Sequence, residues 1–275
     1  MQIGTLKLDL PAVMGILNVT PDSFADGGRF LATDDAMRQA EAMAEGGAAI
    51  IDVGGESTRP GAAEVSEQEE IDRVVPIIEA IRKKLEFPVS VDTSKATVMQ
   101  AAVAAGAEMI NDVRALRDDG ALAAAIGLQK PVCLMHMRGQ PRTMQEKPSY
   151  DDVTAEVAGF LEDRLRTCID AGLDRELIVV DPGFGFGKSH SHNVELLANL
   201  RQLQKLGQPV LVGISRKSTL GDITGRDTDE RMAASIAAAV IAVMSGAQIV
   251  RAHDVAETVD AVRVSRVIME AKLSQ

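Results

Sequence analysis

One pattern recurs along the whole chain. A short apolar run ends in a polar residue, a turn rich in Gly or Ser follows, and an Ala- and Leu-rich helical stretch comes next. The runs read VMGILN, AIIDVGGESTR, VSVD, MIND, CLMH, IVVD, VLVGISRK and IVRAH. Strands that alternate with helices at this spacing are typical of βαβ units with parallel strands. Eight such units with nearly continuous apolar strands predict an α/β fold, a closed (β/α)8 TIM barrel rather than an open doubly wound sheet.

Length and composition agree with one barrel. Such a barrel uses about 250 residues as a single domain, and 275 residues with 46% apolar content can bury its core, so we expect one domain over residues 1–275. The 29 basic and 40 acidic residues give a net charge of -11, which argues against nucleic acid or an anionic membrane as a partner. Any bound anion must therefore meet a local cluster of cations.

Targeting and membrane signals are weak in this sequence. The start MQIGTLKLDL lacks the basic region of a signal peptide. The apolar stretch 232–244 is shorter than the ~20 residues of a membrane span, so we expect a buried helix there. Cys133 and Cys168 lack C-x-x-C spacing and are expected in the core, which predicts a reducing compartment and a cytoplasmic location.

Turn and capping signals give the element boundaries. Helix one is predicted to begin at a Thr33 cap, and Ser66 with Glu69 forms a capping box for helix two. Helix six is expected after the SHSHN sequence, and one helix seven is expected to end at Ser245. The predicted strands cover 12–18, 49–53, 89–92, 108–112, 131–136, 177–181, 209–215 and 248–253.

Three segments are predicted to be loops. Residues 18–28 and 54–66 are polar and rich in Gly and Pro. We expect the stretches 18–28 and 54–62 to be disordered without ligand and to close over the barrel mouth with it. Residues 137–150 have no periodic apolar signal and are predicted to form a mobile loop.

The polar residues at the strand ends predict where a site would lie. Active sites of this fold lie at the carboxyl ends of the strands. A single carboxylate there is often only a helix cap, but carboxylates, amides and cations on many strands together indicate a site. The residues expected to ring this mouth are Asn18, Asp92, Asn111, Asp112, His136, Asp181, Lys217, Arg251 and His253.

The predicted ring divides by chemistry. Asp92, Asn111 and Asp181 offer buried acceptors suited to a flat guanidine-like edge, as in a pterin. On the opposite side, positive groups are expected on the two loops where such barrels most often bind phosphate. These positive groups are Lys217, Arg251 and His253, which Arg59 can join.

Other motifs fit poorly. The glycines at 183, 185 and 187 lack the G-x-G-x-x-G spacing of a dinucleotide site, and Pro182 occupies the first glycine position of a P-loop. The four histidines form no H-E-x-x-H or three-histidine pattern, so a zinc site is not expected.

Longer motifs stand in a fixed order between residues 14 and 255: MGILNVTPDSFADGG, IDVGGESTRPGA, SVDTSK, IND, LMHM, DPGFGFGK, GISRKS and VRAHDV. Together they resemble the motif set of the dihydropteroate synthase family over nearly the whole chain. The first two motifs are long and unusual in composition, so they carry most of the resemblance.

The resemblance implies a transferase of folate biosynthesis. Such an enzyme joins 6-hydroxymethyl-7,8-dihydropterin diphosphate to 4-aminobenzoate and releases diphosphate and 7,8-dihydropteroate. The resemblance also implies inhibition by sulfonamides, which mimic aminobenzoate, a Mg²⁺ cofactor, and a homodimer built on the outer helices.

The resemblance also implies roles for residues at matching motif positions. The predicted catalytic residues are Asp92, Lys217, Arg251 and His253. The pterin would be held by Asp92, Asn111, Asp181 and Lys217, with Met135 and Phe186 against its faces. Diphosphate would be bound by Asn18, Arg251 and His253, with Mg²⁺ near Asn18. Further substrate contacts are implied for Thr58, Arg59 and Pro60 in the second loop, Ser218 at the aminobenzoate carboxylate, and Phe24 and Asp26 in the first loop.

Two other functions share parts of this pattern. A pterin-dependent methyltransferase domain would have the same barrel and acceptors but no use for cations around a diphosphate. A non-catalytic pterin-binding relative would be expected to lose the diphosphate groups or the first loop, and the sequence has both.

Overall fold

The computed structural model describes residues 2–3, 6–9, 11–20, 29–57, 64–139 and 143–273. Two short strands, β1 (Gln2–Ile3) and β2 (Leu6–Lys7), pair antiparallel at the start of the chain. Ile3, Leu6 and Leu8 are buried in one cluster with apolar residues of the barrel strands, among them Met14 and Ile249. Burial of this apolar surface attaches the hairpin to the barrel.

Eight parallel strands form the barrel, as the repeated sequence pattern predicts. Their hydrogen-bonded order is β8-β7-β6-β5-β4-β3-β10-β9. The Val180 N–H donates to the Pro209 carbonyl at 2.9 Å, and a parallel bridge joins Val180 to Val210, so the two edge strands also meet. The strands are β3 (Ala12–Asn18), β4 (Ile50–Gly54), β5 (Val89–Asp92), β6 (Met109–Asp112), β7 (Val132–Met135), β8 (Ile178–Asp181), β9 (Leu211–Val212) and β10 (Ile249–Ala252).

Helices surround the strands, and a large apolar core lies between the two layers. Short 3-10 segments cover Arg175–Leu177, Leu200–Leu206 and Thr228–Glu230. The α-helices are α1 (Arg29–Glu45), α2 (Glu67–Leu85), α3 (Ala96–Ala104), α4 (Ala121–Leu128), α5 (Val153–Asp170), α6 (His190–Ala198), α7 (Ser218–Thr224), α8 (Met232–Met244) and α9 (Val255–Leu273). In the described part of the chain, no helix is both long enough and apolar enough to cross a membrane.

Several helix boundaries differ from the predictions. Helix α1 begins at Arg29, so Thr33 lies inside it, because the intervening Phe, Leu and Ala can continue a helix. Helix α6 begins within SHSHN, where Ser189 caps it and His192 completes a capping box. The predicted helix seven is divided into α7 and α8, and Gly225 ends α7 at a φ of 68° that favours glycine.

The predicted cap of α2 is present in part. The Ser66 hydroxyl accepts the Glu69 N–H at 3.3 Å, as a capping box requires. The Glu69 carboxylate accepts from Arg73 at 2.5 Å, so it forms an ion pair along the helix.

In the segment after β7, the described residues 137–139 and 143–150 include packing contacts that are not expected of a mobile loop. Met137 and Met144 are buried in a cluster with Val113, and the Tyr150 hydroxyl donates to the Gly187 carbonyl at 2.8 Å. Two separated methionines can fill one apolar gap without any periodic pattern, which is why the sequence gives no signal here.

The predicted loop closures fall largely on residues 21–28 and 58–63, which lie outside the described residues.

The cap of α5 gives a test of local stability. The Asp152 carboxylate accepts the Ala155 N–H at 2.9 Å at the start of this helix. Replacing Asp152 with Ala removes an acceptor that satisfies a free helix N–H, so we expect the free energy of unfolding to fall by about 1 kcal/mol in urea denaturation. The neighbouring exposed Asp151→Ala should stay within about 0.5 kcal/mol of the parent protein. Equal losses in both variants would contradict the capping role.

Candidate active site

A pocket lies at the carboxyl ends of the barrel strands, where active sites of this fold are found. Its acceptors come from three strands, since Asp92 ends β5, Asn111 lies in β6 and Asp181 ends β8. The pocket is lined by Asp92, Asn111, Val113, Met135, Asp181, Gly183, Phe184, Phe186, Gly213, Lys217 and Arg251. All the residues predicted to hold a pterin therefore face one cavity.

The Arg251 side chain of β10 binds two carboxylates. Its Nε donates to Asp52 Oδ2 at 2.6 Å, and its Nη2 donates to Asp92 Oδ2 at 2.8 Å. Burial lowers the pKa of Arg251, but the charges of Asp52 and Asp92 outweigh burial and raise it. Burial also raises the pKa of Asp92, and the Arg251 guanidinium opposes that rise. At Arg251 the ion pair outweighs burial and favours the charged form, whereas at Asp92 burial outweighs the ion pair and the pKa stays raised.

This arrangement corrects the expected separation of cations and carboxylates. The sequence pattern predicts that Arg251 lies opposite the acceptors, yet its guanidinium is hydrogen-bonded to Asp92. The backbone of Arg251 pairs with Met14 of β3, and Met14 pairs with Ile50 of β4, so the long side chain extends past β3 to β4 and β5. Buried carboxylates need a counter-charge, and Arg251 supplies it.

Asp52 is a site residue that the strand-end pattern does not single out. It is fully buried inside β4, and its Oδ2 accepts from Asn111 Nδ2 at 2.9 Å as well as from Arg251. One carboxylate oxygen thus orients two side chains that line the pocket. Its Oδ1 has no hydrogen-bond partner among the described residues. One feature of the sequence could have identified Asp52, since it is a charged residue inside the apolar run AIIDVGG. A carboxylate buried at such a position requires hydrogen-bond or ionic partners.

Asp181 turns back onto the glycine-rich turn that follows β8. Its Oδ1 accepts the Gly183 N–H at 2.7 Å. Burial raises the pKa of Asp181 to about 6, while the Gly183 hydrogen bond and the charges of Lys217, Lys188 and Arg251 oppose the rise. This carboxyl therefore gains a proton in mildly acidic solution, and its capacity to accept hydrogen bonds falls there.

Apolar side chains form the remaining walls of the pocket. Met135 and Phe186 are buried in the cluster that also contains Val113 and Met144. The Lys217 ammonium lies 4.2 Å from the centroid of the Phe186 ring, within range of a cation–π interaction. The ring and the ammonium thus lie together at one side of the pocket.

Three predicted residues are near the mouth but do not line the pocket. Asn18 ends β3, and its Oδ1 lies beside Gly54, as does Asp92 Oδ2. His253 Nδ1 is 3.0 Å from Ser215 Oγ. Ser218 is exposed and begins α7.

The expected positive charge of His253 is corrected by its surroundings. Burial, together with the nearby charges of Arg251 and Arg216, lowers the pKa of His253 to about 4. The charge of Asp254 opposes this only in part. The ring is therefore neutral near pH 7 and can donate a hydrogen bond without adding charge.

Two members of the predicted ring have local structural roles. The buried Asp112 carboxylate accepts from the Ser94 hydroxyl and from the N–H groups of Arg114 and Leu116, so it stabilises the turn after β6. The His136 imidazole is hydrogen-bonded to the Lys188 ammonium at 2.8 Å.

The predicted substrate contacts of the two long loops lie outside the described residues, namely Phe24, Asp26, Thr58, Arg59 and Pro60.

Comparison with known proteins decides the family. The family described as pterin binding enzyme matches residues 14–253. The dihydropteroate synthase of Escherichia coli (strain K12) is 53% identical over 268 residues, which cover 98% of this chain and 95% of that protein. The chain belongs to the dihydropteroate synthase family. The family predicted from the motifs is confirmed.

Solved structures of dihydropteroate synthases share the backbone fold. The Yersinia pestis enzyme, in a complex with a sulfonamide drug, has a TM-score of 0.93 and 50% identity, covering 98% of this chain and 99% of that chain. The Xanthomonas albilineans enzyme, in complex with 7,8-dihydropteroate, has a TM-score of 0.87 and 49% identity, covering 96% of this chain and 95% of that chain. The TIM barrel predicted from the sequence is therefore also the fold of these dihydropteroate synthases.

Asp52 allows a direct test of the buried ion pair. Replacing Asp52 with Ala leaves the Arg251 guanidinium without one carboxylate, so we expect a loss of about 3–5 kcal/mol in the free energy of unfolding, measured in urea. Ser90 is the matched control because it pairs with Asp52 across β4 and β5, is equally buried, and has an Oγ with no partner among the described residues. Ser90→Ala should change stability by less than about 1 kcal/mol. An Asp52→Ala protein as stable as Ser90→Ala would disprove the role of the ion pair.

Proposed function

We propose that the chain joins 6-hydroxymethyl-7,8-dihydropterin diphosphate to 4-aminobenzoate, forming 7,8-dihydropteroate and releasing diphosphate in folate biosynthesis. This is the reaction of the family to which it belongs, and likeness to the family extends over nearly the whole chain at about 50% identity. The observation that carries the proposal is one pocket lined by two carboxylates, an amide, two cations and two phenylalanines.

The acceptors would bind the pterin. Asp92, Asn111 and Asp181 present oxygens to one cavity, and a flat ring with several N–H groups can satisfy them together. A buried acceptor without a donor costs about 1–3 kcal/mol, so donors on the ligand gain that free energy. Met135 and Phe186 offer apolar surface to the two faces of such a ring.

The cations would bind the diphosphate end. Arg251 of β10 lines the pocket and supplies positive charge there, and Lys217, which follows β9 and would also contact the pterin, adds a second cation. His253, neutral near pH 7, would donate a hydrogen bond to a phosphate oxygen. Ser218, exposed at the start of α7, would receive the aminobenzoate carboxylate through its hydroxyl and N–H groups.

Asn18 suits a magnesium ion that arrives with the diphosphate. Mg²⁺ takes oxygen ligands and is usually held by one or two protein groups together with water and substrate phosphates. In the described ranges, no group of three His, Cys, Asp or Glu side chains could hold a metal without substrate. The Asn18 amide oxygen at the end of β3 provides one such ligand. The ion would supply charge neutralisation for the leaving diphosphate.

The pocket holds charges of both signs, and each sign can stabilise one of the charges that develop during a dissociative displacement. As the bond between the pterin methylene carbon and the diphosphate oxygen breaks, both electrons leave with the oxygen, beside Lys217 and Arg251. The positive charge spreads over the pterin ring, beside Asp92 and Asp181. The aromatic amine then attacks the methylene carbon and loses a proton. Fixed charges aimed at both developing charges lower the barrier.

The two alternatives fit this pocket less well. A pterin-dependent methyltransferase domain or a non-catalytic relative would have no use for both Lys217 and Arg251 beside the acceptors. Diphosphate release that depends on 4-aminobenzoate distinguishes the proposed synthase from both.

Arg251 gives the sharpest test of the proposed reaction. We expect Arg251→Ala to lower turnover by about 10²–10³-fold, because it removes a cation placed where negative charge develops. Turnover is measured as diphosphate release dependent on 4-aminobenzoate, and circular dichroism checks that the variant is folded. Arg166→Ala is the control, since Arg166 is exposed on α5 and its side chain pairs with Asp163. A folded Arg251→Ala protein with the parent turnover would refute the assignment.

We also propose a homodimer built on the outer helices. Exposed large aliphatic side chains concentrate on α8 and α9, where Ile241, Val264, Val267 and Ile268 are 47–65% exposed. A contiguous exposed apolar patch indicates a protein interface. We further propose that sulfonamides inhibit this protein, as they inhibit its family. We also propose a cytoplasmic location, because Cys133 and Cys168 are free, buried thiols.

The dimer proposal predicts an effect of charge at its centre. Val267→Asp should shift the protein to monomers in size-exclusion chromatography with light scattering, because a carboxylate would lose its hydration in an apolar interface. Val194→Asp on α6 changes an exposed valine elsewhere and should leave the dimer intact. A dimer in both variants would exclude this surface.

A further inference from the structure

Lys188 is a buried lysine that no step of the proposed reaction uses. It ends the sequence DPGFGFGK, and only 2% of its surface is exposed. Its Nζ is 2.8 Å from His136 Nδ1, 2.8 Å from the Gly183 carbonyl oxygen and 3.2 Å from the Phe186 carbonyl oxygen. Among the described residues, no carboxylate forms an ion pair with it. A buried ammonium with only neutral hydrogen-bond partners is costly, so its contacts must be well matched.

The three donors of the Lys188 ammonium meet three close acceptors, and the His136 carbonyl oxygen is a fourth, more distant one at 3.5 Å from Nζ. Burial and the charge of Lys188 lower the pKa of His136 to about 2, so the imidazole is neutral and its Nδ1 can accept. The three N–H groups of the ammonium can then reach the imidazole and the carbonyls of Gly183 and Phe186, one each. Lys188 thereby joins the end of β7 to the turn after β8.

The two carbonyls that Lys188 binds belong to residues that shape the pocket. The Gly183 N–H donates to Asp181 Oδ1 at 2.7 Å. The Phe186 ring lies beneath the Lys217 ammonium. The turn has one permitted shape here, because Gly183 has a φ of 69° and a Cβ there would overlap the His136 carbonyl oxygen. A loss of the Lys188 contacts would thus disturb Asp181 and Phe186 together.

We propose that Lys188 is a positioning residue for the pterin end of the pocket: it fixes the glycine-rich turn so that Asp181 and Phe186 meet the ring. Lys188 does not line the pocket, so it acts through these two residues. The inference rests on the proposed function.

The charges around Asp181 set the direction of the pH effect. Asp181 faces Lys217, Lys188 and Arg251, and the neighbouring Cys133 thiol is neutral because burial raises its pKa. Lys188 faces Asp181, Lys217 and the neutral His136. Burial lowers the pKa of Lys188 to about 7, so Lys188 is charged in the acidic range where Asp181 titrates. Removing that charge raises the pKa of Asp181, and pterin recognition should then fail at a higher pH.

Lys188→Met tests the proposal, because methionine keeps most of the length and removes the charge. The measurement is kcat/KM for the pterin diphosphate from about pH 5 to pH 9, with KM for 4-aminobenzoate at neutral pH. We expect KM for the pterin diphosphate to rise roughly tenfold or more, as for a misplaced binding group. The acidic decline in kcat/KM should move to higher pH, and KM for 4-aminobenzoate should stay within about twofold. The matched control is Lys205→Met, an exposed lysine of the 200–206 segment, which should behave like the parent.

A general loss of stability would lower the fraction of folded protein without moving the acidic limb, so a folded Lys188→Met with the parental limb and the parental pterin KM overturns the proposal. If circular dichroism shows that Lys188→Met is unfolded, His136→Phe replaces it, since the ring packs edge-on against Phe160 at 4.9 Å and can be exchanged for another ring. That variant removes one acceptor but keeps the ammonium, so the pterin KM should rise while the acidic limb stays in place; a parental pterin KM overturns the proposal. A parent enzyme that releases no diphosphate with 4-aminobenzoate would refute the proposed function instead.

Discussion

The ion pair of Arg251 with Asp52 and Asp92 is the interaction on which the site depends. It joins β10 to β4 and β5 inside the barrel, and the same Asp52 oxygen also holds Asn111 of β6. The charges are compatible with burial only because each carboxylate receives a charged donor. Asp92, Asn111 and Arg251 are therefore fixed relative to one another by a single network.

A second set of contacts fixes the other side of the pocket. The turn after β8 packs so closely on the end of β7 that it requires glycine, and the Lys188 ammonium binds its carbonyls from beneath. The shape of this turn sets the positions of the Asp181 and Phe186 side chains, and the Lys217 ammonium lies over the Phe186 ring. The two networks differ in chemistry, since one pairs opposite charges and the other matches one charge to neutral acceptors.

Local patterns predict the elements better than the contacts between them. The apolar runs locate all eight barrel strands, although β9 is only Leu211–Val212 where seven residues were expected from 209–215. The helix after β9 is broken because Gly225 adopts a left-handed conformation that composition does not reveal. Met144 packs into the pocket wall without a periodic signal, since an isolated methionine can fill a gap anywhere along a loop.

The sequence by itself determined the barrel, the end of the barrel that carries the site, and the residue types gathered there, because strand periodicity and strand ends are local properties of the chain. Only the tertiary structure decided that Arg251 bonds to the acidic side, that Asp52 orients it, and that His253 is neutral. Those outcomes depend on which side chains meet across the lumen and how deeply they are buried. Neither quantity is set by residues adjacent in the chain, since partners such as Asp52 and Arg251 come together only when the barrel closes.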